Sequence, residues 1–145
     1  MVFHDSRWVL ELDLQRTCEM KIKGEFTING GTKQQREIAE KVIRWCFENK
    51  VVIRPGIDID LKICKYVTHQ CWGSCVESGD DITSMPSFDM TIANNQPIRD
   101  FIATIVHEMV HVNQYITGEW QGDGEKECEE KEYEIADKIW KDGWV

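Results

Sequence analysis

The chain has 145 residues, of which 41% are hydrophobic and 30% charged, and this suits one globular domain with its own core. Its net charge of −9 disfavours nucleic acids and anionic membrane surfaces as partners, because clustered Lys and Arg bind both. No apolar run is long enough for a transmembrane helix, and residues 1–13 lack the apolar segment of a signal peptide. We therefore expect a single cytoplasmic domain over residues 1–145.

The first half of the chain alternates strand and helix patterns. Apolar residues at every second position predict strands over residues 9–14, 20–28 and 57–63. Between the last two, Thr32 has the character of a helix N-cap and precedes a helical apolar stripe that continues to about Asn49. The first half therefore predicts three strands and one helix.

The second half predicts two more strands followed by two helices. The strands are expected over Cys71–Glu77 and Phe88–Ala93. A helix with Pro97 in its first turn then ends at Gly118, and a glycine-rich connection leads to a last helix over Glu125–Trp140. This order predicts an α+β fold with a mixed or antiparallel sheet packed by helices.

The first of these two helices contains the pattern H-E-x-x-H, formed by His107, Glu108 and His111. Residues four apart lie one turn apart on the same side of a helix, so both imidazoles can bind one Zn²⁺. Glu108 lies beside them, where it can take a proton from a water molecule that the metal activates. The pattern predicts a catalytic zinc site.

A helical wheel separates this pattern from the core-facing side of the same helix. One arc contains the large apolar residues Ile102, Ile105, Met109, Val112 and Ile116. His107 and His111 lie opposite, on the side that also carries Asp100, Thr104 and Gln114. The two histidines are therefore not predicted to fill the core.

A catalytic zinc site requires a third protein ligand. No histidine follows His111, so we expect a carboxylate from the last helix, which contains six glutamates. On the wheel, Glu129 and Glu132 fall on the apolar side, where a carboxylate is unfavourable unless it is paired or bound to metal. The residue pattern leaves the choice between these two open.

Two segments resemble gluzincin-type small metallopeptidases, including SprT-like and phage-encoded relatives. They are Thr104–Val112, which contains H-E-x-x-H, and Glu129–Ala136, which resembles the helix that supplies the third ligand. The resemblance implies a zincin-like fold, one Zn²⁺ held by His107, His111 and Glu129, and hydrolysis of a peptide or protein substrate. This chain departs from the pattern at Glu132, where a small residue is usual.

The segment Trp72-Gly73-Ser74-Cys75 resembles one that precedes H-E-x-x-H in a SprT-like branch. The resemblance implies that the next strand, Phe88–Ala93, covers the active-site cleft, and that substrate pairs as an extra strand along an exposed sheet edge. That branch normally uses a third histidine as a ligand, and this chain has none in that place.

Tyr115 is a candidate for binding the oxyanion of the reaction. It lies two turns beyond Glu108 on nearly the same side of the helix, from which a phenol can donate a hydrogen bond. The alternative is that Tyr115 only packs against its neighbours.

The six cysteines are expected to be mostly reduced thiols, since no secretory signal is predicted. Cys46 and Cys128 lie on helical apolar stripes, where a free cysteine packs as a small hydrophobic residue. A second, structural zinc site is conceivable at His69, Cys64, Cys71 and Cys75, but the spacing lacks the close cysteine pairs of such sites.

Two competing functions remain beside zinc-dependent peptide hydrolysis. One is a metal-binding or regulatory module that has the fold but no catalysis. The other is a SprT-like protease that acts on proteins attached to DNA, which the acidic charge disfavours.

Overall fold

The computed structural model describes residues 25–53, 56–65, 73–77 and 86–143. This part of the chain contains strands β1 (Glu25–Gly30), β2 (Asp58–Cys64), β3 (Gly73–Glu77) and β4 (Ser87–Ala93). It also contains helices α1 (Lys33–Glu48), α2 (Ile98–Thr117) and α3 (Glu125–Lys141). The prediction of a small α+β domain is confirmed. None of these described helices is both long enough and apolar enough to cross a membrane.

The described strands form one mixed sheet in the order β1-β2-β4-β3. β1, β2 and β4 are parallel, and β3 runs antiparallel to β4 at one edge. Parallel neighbours require a crossover connection, and α1 provides it between β1 and β2. The sheet is therefore of the mixed kind, one of the two kinds predicted.

The core lies between one face of the sheet and the helices. Alternate residues of the three parallel strands are buried, as the period-two pattern predicts: Phe26, Ile28, Ile59, Leu61, Ile63, Phe88, Met90 and Ile92. The apolar stripe of α2 is buried too, at Ile102, Ile105, Met109 and Val112, with Ile116 at its partly buried end. α2 packs against the sheet, α1 and α3 and is the central helix of the fold.

Most predicted boundaries are met within a few residues. The expected strand over residues 9–14 lies outside the described residues, as do residues 20–24, and β1 begins at Glu25. Pro97 immediately precedes α2 as its N-cap residue instead of lying within the first turn. Gly118 ends α2 in the left-handed conformation, with φ of 71°, as predicted for a glycine C-cap.

The start of α1 depends on a reciprocal pair of hydrogen bonds. The hydroxyl of Thr32 accepts from the backbone N–H of Gln35 at 3.0 Å, and the Gln35 side-chain oxygen accepts from the backbone N–H of Thr32 at 3.0 Å. Gln35 also donates to the backbone oxygen of Asn94, just after β4. This capping box therefore ties the helix start to the end of a central strand.

We expect Thr32→Ala to lower the free energy of unfolding by about 1 kcal/mol, because an N–H of the first turn loses its acceptor. Urea unfolding followed by circular dichroism measures the change. Lys33→Ala, one position along and exposed, is the control and should change stability by less than about 0.5 kcal/mol. Equal effects of the two substitutions would contradict the role of the cap.

Candidate metal centre

A cleft of about 750 Å³ lies between α2, α3 and β3. Its lining includes His107, Glu108 and His111 from α2, and Glu125 and Glu132 from α3. The third wall is the start of the edge strand, residues 73–75. The prediction that the strand over residues 88–93 covers the cleft is wrong, because that strand lies inside the sheet between β2 and β3.

Both ring nitrogens of His107 contact carboxylates of α3. Nδ1 lies 2.9 Å from Oε1 of Glu132, and Nε2 lies 2.9 Å from Oε1 of Glu125. An ionised carboxylate only accepts hydrogen bonds, so either nitrogen of His107 can donate to the carboxylate that it faces, and Glu132 is the less exposed of the two partners. In the neutral tautomer that carries its hydrogen on Nδ1, Nε2 faces Glu125 with its lone pair.

His111 is held in the same way by an amide. Its Nδ1 lies 2.9 Å from Oε1 of Gln114, and its Nε2 lies 2.7 Å from Oε2 of Glu125. The Gln114 side-chain nitrogen donates to the backbone oxygen of Gly124 at 2.9 Å and to Glu127 at 2.8 Å. With its NH₂ group so used, Gln114 presents its oxygen to His111, and Nδ1 of His111 must donate.

The side chain of Gln114 extends from α2 and is buried against the start of α3, where a residue without a side chain leaves space for its amide. Gly124, with φ of 81°, precedes the first residue of the helix. A Cβ atom at Gly124 would collide with the Gln114 side-chain amide. A glycine is therefore required both by the backbone conformation and by the close approach of the residue that orients His111.

Nε2 of His107 and Nε2 of His111 consequently lie at hydrogen-bonding distance from the two oxygens of Glu125, between the two helices. A hydrogen on Nε2 or a cation can join each nitrogen to this carboxylate. Two imidazole nitrogens and a carboxylate are ligands that divalent transition metals and zinc prefer. The donor set thus fits a metal cation.

The carboxylates control the charge of His107. Burial lowers the pKa of His107, but the hydrogen bond that His107 donates to Glu132 and the charges of Glu108, Glu125 and Glu132 outweigh burial and raise the pKa overall. A proton at Nε2 and a metal cation occupy the same lone pair, so metal binding must release the proton.

Glu108 points from α2 toward the edge strand and is 5% exposed. A Cβ atom at Gly73 would lie 3.1 Å from Oε2 of Glu108 and 2.6 Å from Cγ2 of Thr104. A glycine is therefore needed at this point of β3, where the strand lies against α2. Burial raises the pKa of Glu108 to about 7, and the charges of His107 and His111 oppose the rise. A carboxyl with such a pKa exchanges protons readily at neutral pH.

Cys128 is fully buried on the same side of α3 as Glu125. Its sulfur and one nitrogen of each of His107 and His111 lie within 4.8 Å of one another, and this group could hold a metal ion. Burial raises the pKa of the Cys128 thiol well above its usual range, and the surrounding glutamates add to the rise. The predicted packing role of Cys128 is confirmed, but its proximity to the histidines was not anticipated.

Glu129 does not lie at the centre. The prediction that it lies on the buried side of the last helix is wrong, since its side chain is exposed and does not line the cleft. The residues of α3 that lie near His107 and His111 are Glu125, Cys128 and Glu132, spaced three and four apart, and Glu129 is about 100° around the axis from Cys128. Glu132 does reach the centre, as a partner of His107 Nδ1.

Sequence reasoning missed Glu125 and Gln114. Glu125 is seven residues before Glu132 and so lies two turns away on the same face of α3. It was not selected because the apolar residues that identify this face in the sequence begin only at Cys128. Gln114 is three residues after His111, and the helical wheel placed it on the same side as the histidines without assigning it a role. The i, i+3 spacing is the signal that could have identified Gln114 as a hydrogen-bond partner of His111.

The remaining predicted residues have mixed positions. Tyr115 lines the cleft and is 46% exposed, with its ring centroid 5.9 Å from that of Phe88 and 6.1 Å from that of Trp120. Its role toward an oxyanion stays a prediction. Cys64 and Cys75 are free thiols outside the His107–His111–Cys128 group, whereas His69 and Cys71 lie outside the described residues.

Comparison of the chain with protein families, with curated proteins and with solved structures finds no match. The function of this centre must therefore be inferred from its own donor atoms and surroundings.

We expect Glu125→Gln to weaken Zn²⁺ binding by at least about tenfold, because an amide is a poorer ligand than a carboxylate and brings no charge. Competition with a chromophoric chelator measures the affinity. Glu129→Gln changes the formal charge by the same amount on the same helix and should leave the affinity within about twofold. Weaker binding in the Glu129 variant with full binding in the Glu125 variant would reject the geometry described above.

Proposed function

We propose that the protein is a zinc-dependent peptidase whose metal is held by His107, His111 and Glu125. The observation that carries this proposal is the convergence of both Nε2 atoms on one carboxylate, beside a buried glutamate at the wall of an open cleft. The donor set of two imidazoles and a carboxylate is one that catalytic zinc sites use. It leaves one coordination position for water or substrate.

Zinc is favoured by the nature of the donors. Imidazole nitrogen suits zinc, whereas magnesium and calcium prefer sites made of oxygen alone. When bound, Zn²⁺ lowers the pKa of a coordinated water towards neutrality and withdraws electrons from a carbonyl oxygen. The hydrogen bonds from Nδ1 of His107 to Glu132 and from Nδ1 of His111 to Gln114 orient the rings and increase their basicity.

Glu108 has the position and the proton affinity of a general acid–base group. It is next to His107 in the chain, and its carboxyl lies at the wall that residue 73 forms. In the proposed reaction Glu108 takes a proton from the attacking water and delivers it to the departing amine. Burial raises the pKa of Glu108 above its ordinary value, which strengthens it as a proton acceptor.

A peptide is the substrate class that suits the cleft. The edge strand β3 borders the cleft and has no strand partner on its outer side among the described residues. An extended peptide can bind to such an edge through main-chain hydrogen bonds, which would direct a backbone carbonyl toward Glu108 and the histidines. Tyr115, which also lines the cleft, remains the candidate donor to the oxyanion.

The alternative is a metal-binding or regulatory module without catalysis. The observation that favours it is Cys128, because a site with four protein ligands is typical of structural zinc. Tight zinc binding without cleavage of any peptide in a diverse library would favour this alternative.

The proposed catalytic role predicts that Glu108→Gln keeps zinc but lowers kcat by about 10²-fold or more, since an amide cannot accept the proton. Hydrolysis of a fluorescence-quenched peptide library and zinc content by elemental analysis are measured on the same samples. Glu134→Gln, an exposed position on α3, serves as the control and should retain full activity. A fully active Glu108 variant would refute the role of Glu108 as the base.

A further inference from the structure

We propose that Cys128 is a sulfur ligand of the same cation and fills the fourth coordination position in the resting protein. The inference depends on the metal centre proposed above and adds a donor that H-E-x-x-H does not contain. Its basis is geometric: the Cys128 sulfur and a nitrogen of each histidine lie within 4.8 Å of one another.

Little movement is needed for Cys128 to coordinate. Tetrahedral zinc, with Zn–N near 2.0–2.1 Å and Zn–S near 2.3 Å, places its ligand atoms about 3.5 Å apart. The sulfur and the nitrogens therefore lie at most about 1.3 Å farther apart than in such a site. On coordination the S–H bond breaks, its proton leaves to water, and a sulfur–metal bond forms.

The surroundings of Cys128 differ from those of an ordinary core cysteine. Its sulfur lies 3.9 Å from the side-chain nitrogen of Gln114, the residue that holds His111. Cys128 is also three residues after Glu125, so both donors project from one face of α3. Cys46 and Cys128 are both fully buried in the apolar cluster, but Cys46 belongs to no group of metal-ligating side chains in the described chain.

A sulfur ligand would have two consequences for the centre. If a Glu125 oxygen also binds, the two nitrogens, the oxygen and the sulfur would fill the four positions of a tetrahedral zinc, so water or substrate would enter only after the sulfur leaves the metal and regains a proton. Sulfur also shifts the preference of the site toward soft cations such as Cd²⁺ and away from Mn²⁺. The resting protein would thus be latent until substrate displaces Cys128.

Cobalt substitution tests the inference directly. Co²⁺ bound to thiolate gives an intense sulfur-to-metal charge-transfer band in the near ultraviolet, and tetrahedral Co²⁺ gives visible d–d bands with any donors. We expect both kinds of band in the parent protein and in Cys46→Ser. Cys128→Ser should retain the visible bands, lose the charge-transfer band and bind Cd²⁺ more than about tenfold less tightly.

The outcomes separate this inference from the proposed function. Visible bands without a charge-transfer band in the parent would overturn the role of Cys128 and leave the His107–His111–Glu125 centre intact. Absence of all cobalt bands would overturn both. Loss of the charge-transfer band in Cys75→Ser instead would assign the sulfur to Cys75, which lines the cleft. Cadmium NMR of the parent requires no variant, and a resonance without the large shift that sulfur causes would also reject Cys128.

Discussion

Two imidazoles that present their Nε2 lone pairs to one carboxylate are the constraint on which the site depends. Glu132 accepts a hydrogen bond from Nδ1 of His107, and Gln114 accepts one from Nδ1 of His111. Glu132 is positioned by α3 itself, and Gln114 by its hydrogen bond to Gly124 at the start of α3. In the tautomers that carry their hydrogens on Nδ1, both Nε2 atoms face Glu125 with their lone pairs. A cation can then join both rings to this carboxylate, and a proton taken up at Nε2 of His107 can take its place on that ring.

The fold holds this arrangement by giving α2 two different faces. One face carries the apolar stripe that packs on the sheet, so the other must face α3 with the polar residues of the cleft. At the start of α2, Arg99 pairs with Asp137 at 2.9 Å and lies over the ring of Tyr133, whose hydroxyl donates to Asp100. These contacts join α2 to α3 at an exposed position and contribute little energy individually.

The sequence was sufficient for what depends on local periodicity. The stripe from Ile102 to Val112 identified the buried side of α2 and placed His107 and His111 opposite, as the structure has them. It was insufficient where the outcome depends on how distant elements pack. Strand order made residues 73–77 the wall of the cleft in place of 88–93, and the rotation of α3 selected Glu125 and excluded Glu129. A wheel with an apolar arc as broad as that of α3 cannot resolve a difference of about 40° between these two glutamates.

The measurement that tests this account most directly is anomalous diffraction at the zinc edge from crystals of the zinc-loaded protein. The account predicts one strong peak within about 2.3 Å of Nε2 of His107, Nε2 of His111 and an oxygen of Glu125, with Glu132 and Gln114 still on the Nδ1 atoms. A zinc ion bound through Nδ1 of either histidine, or bound without Glu125, would contradict it.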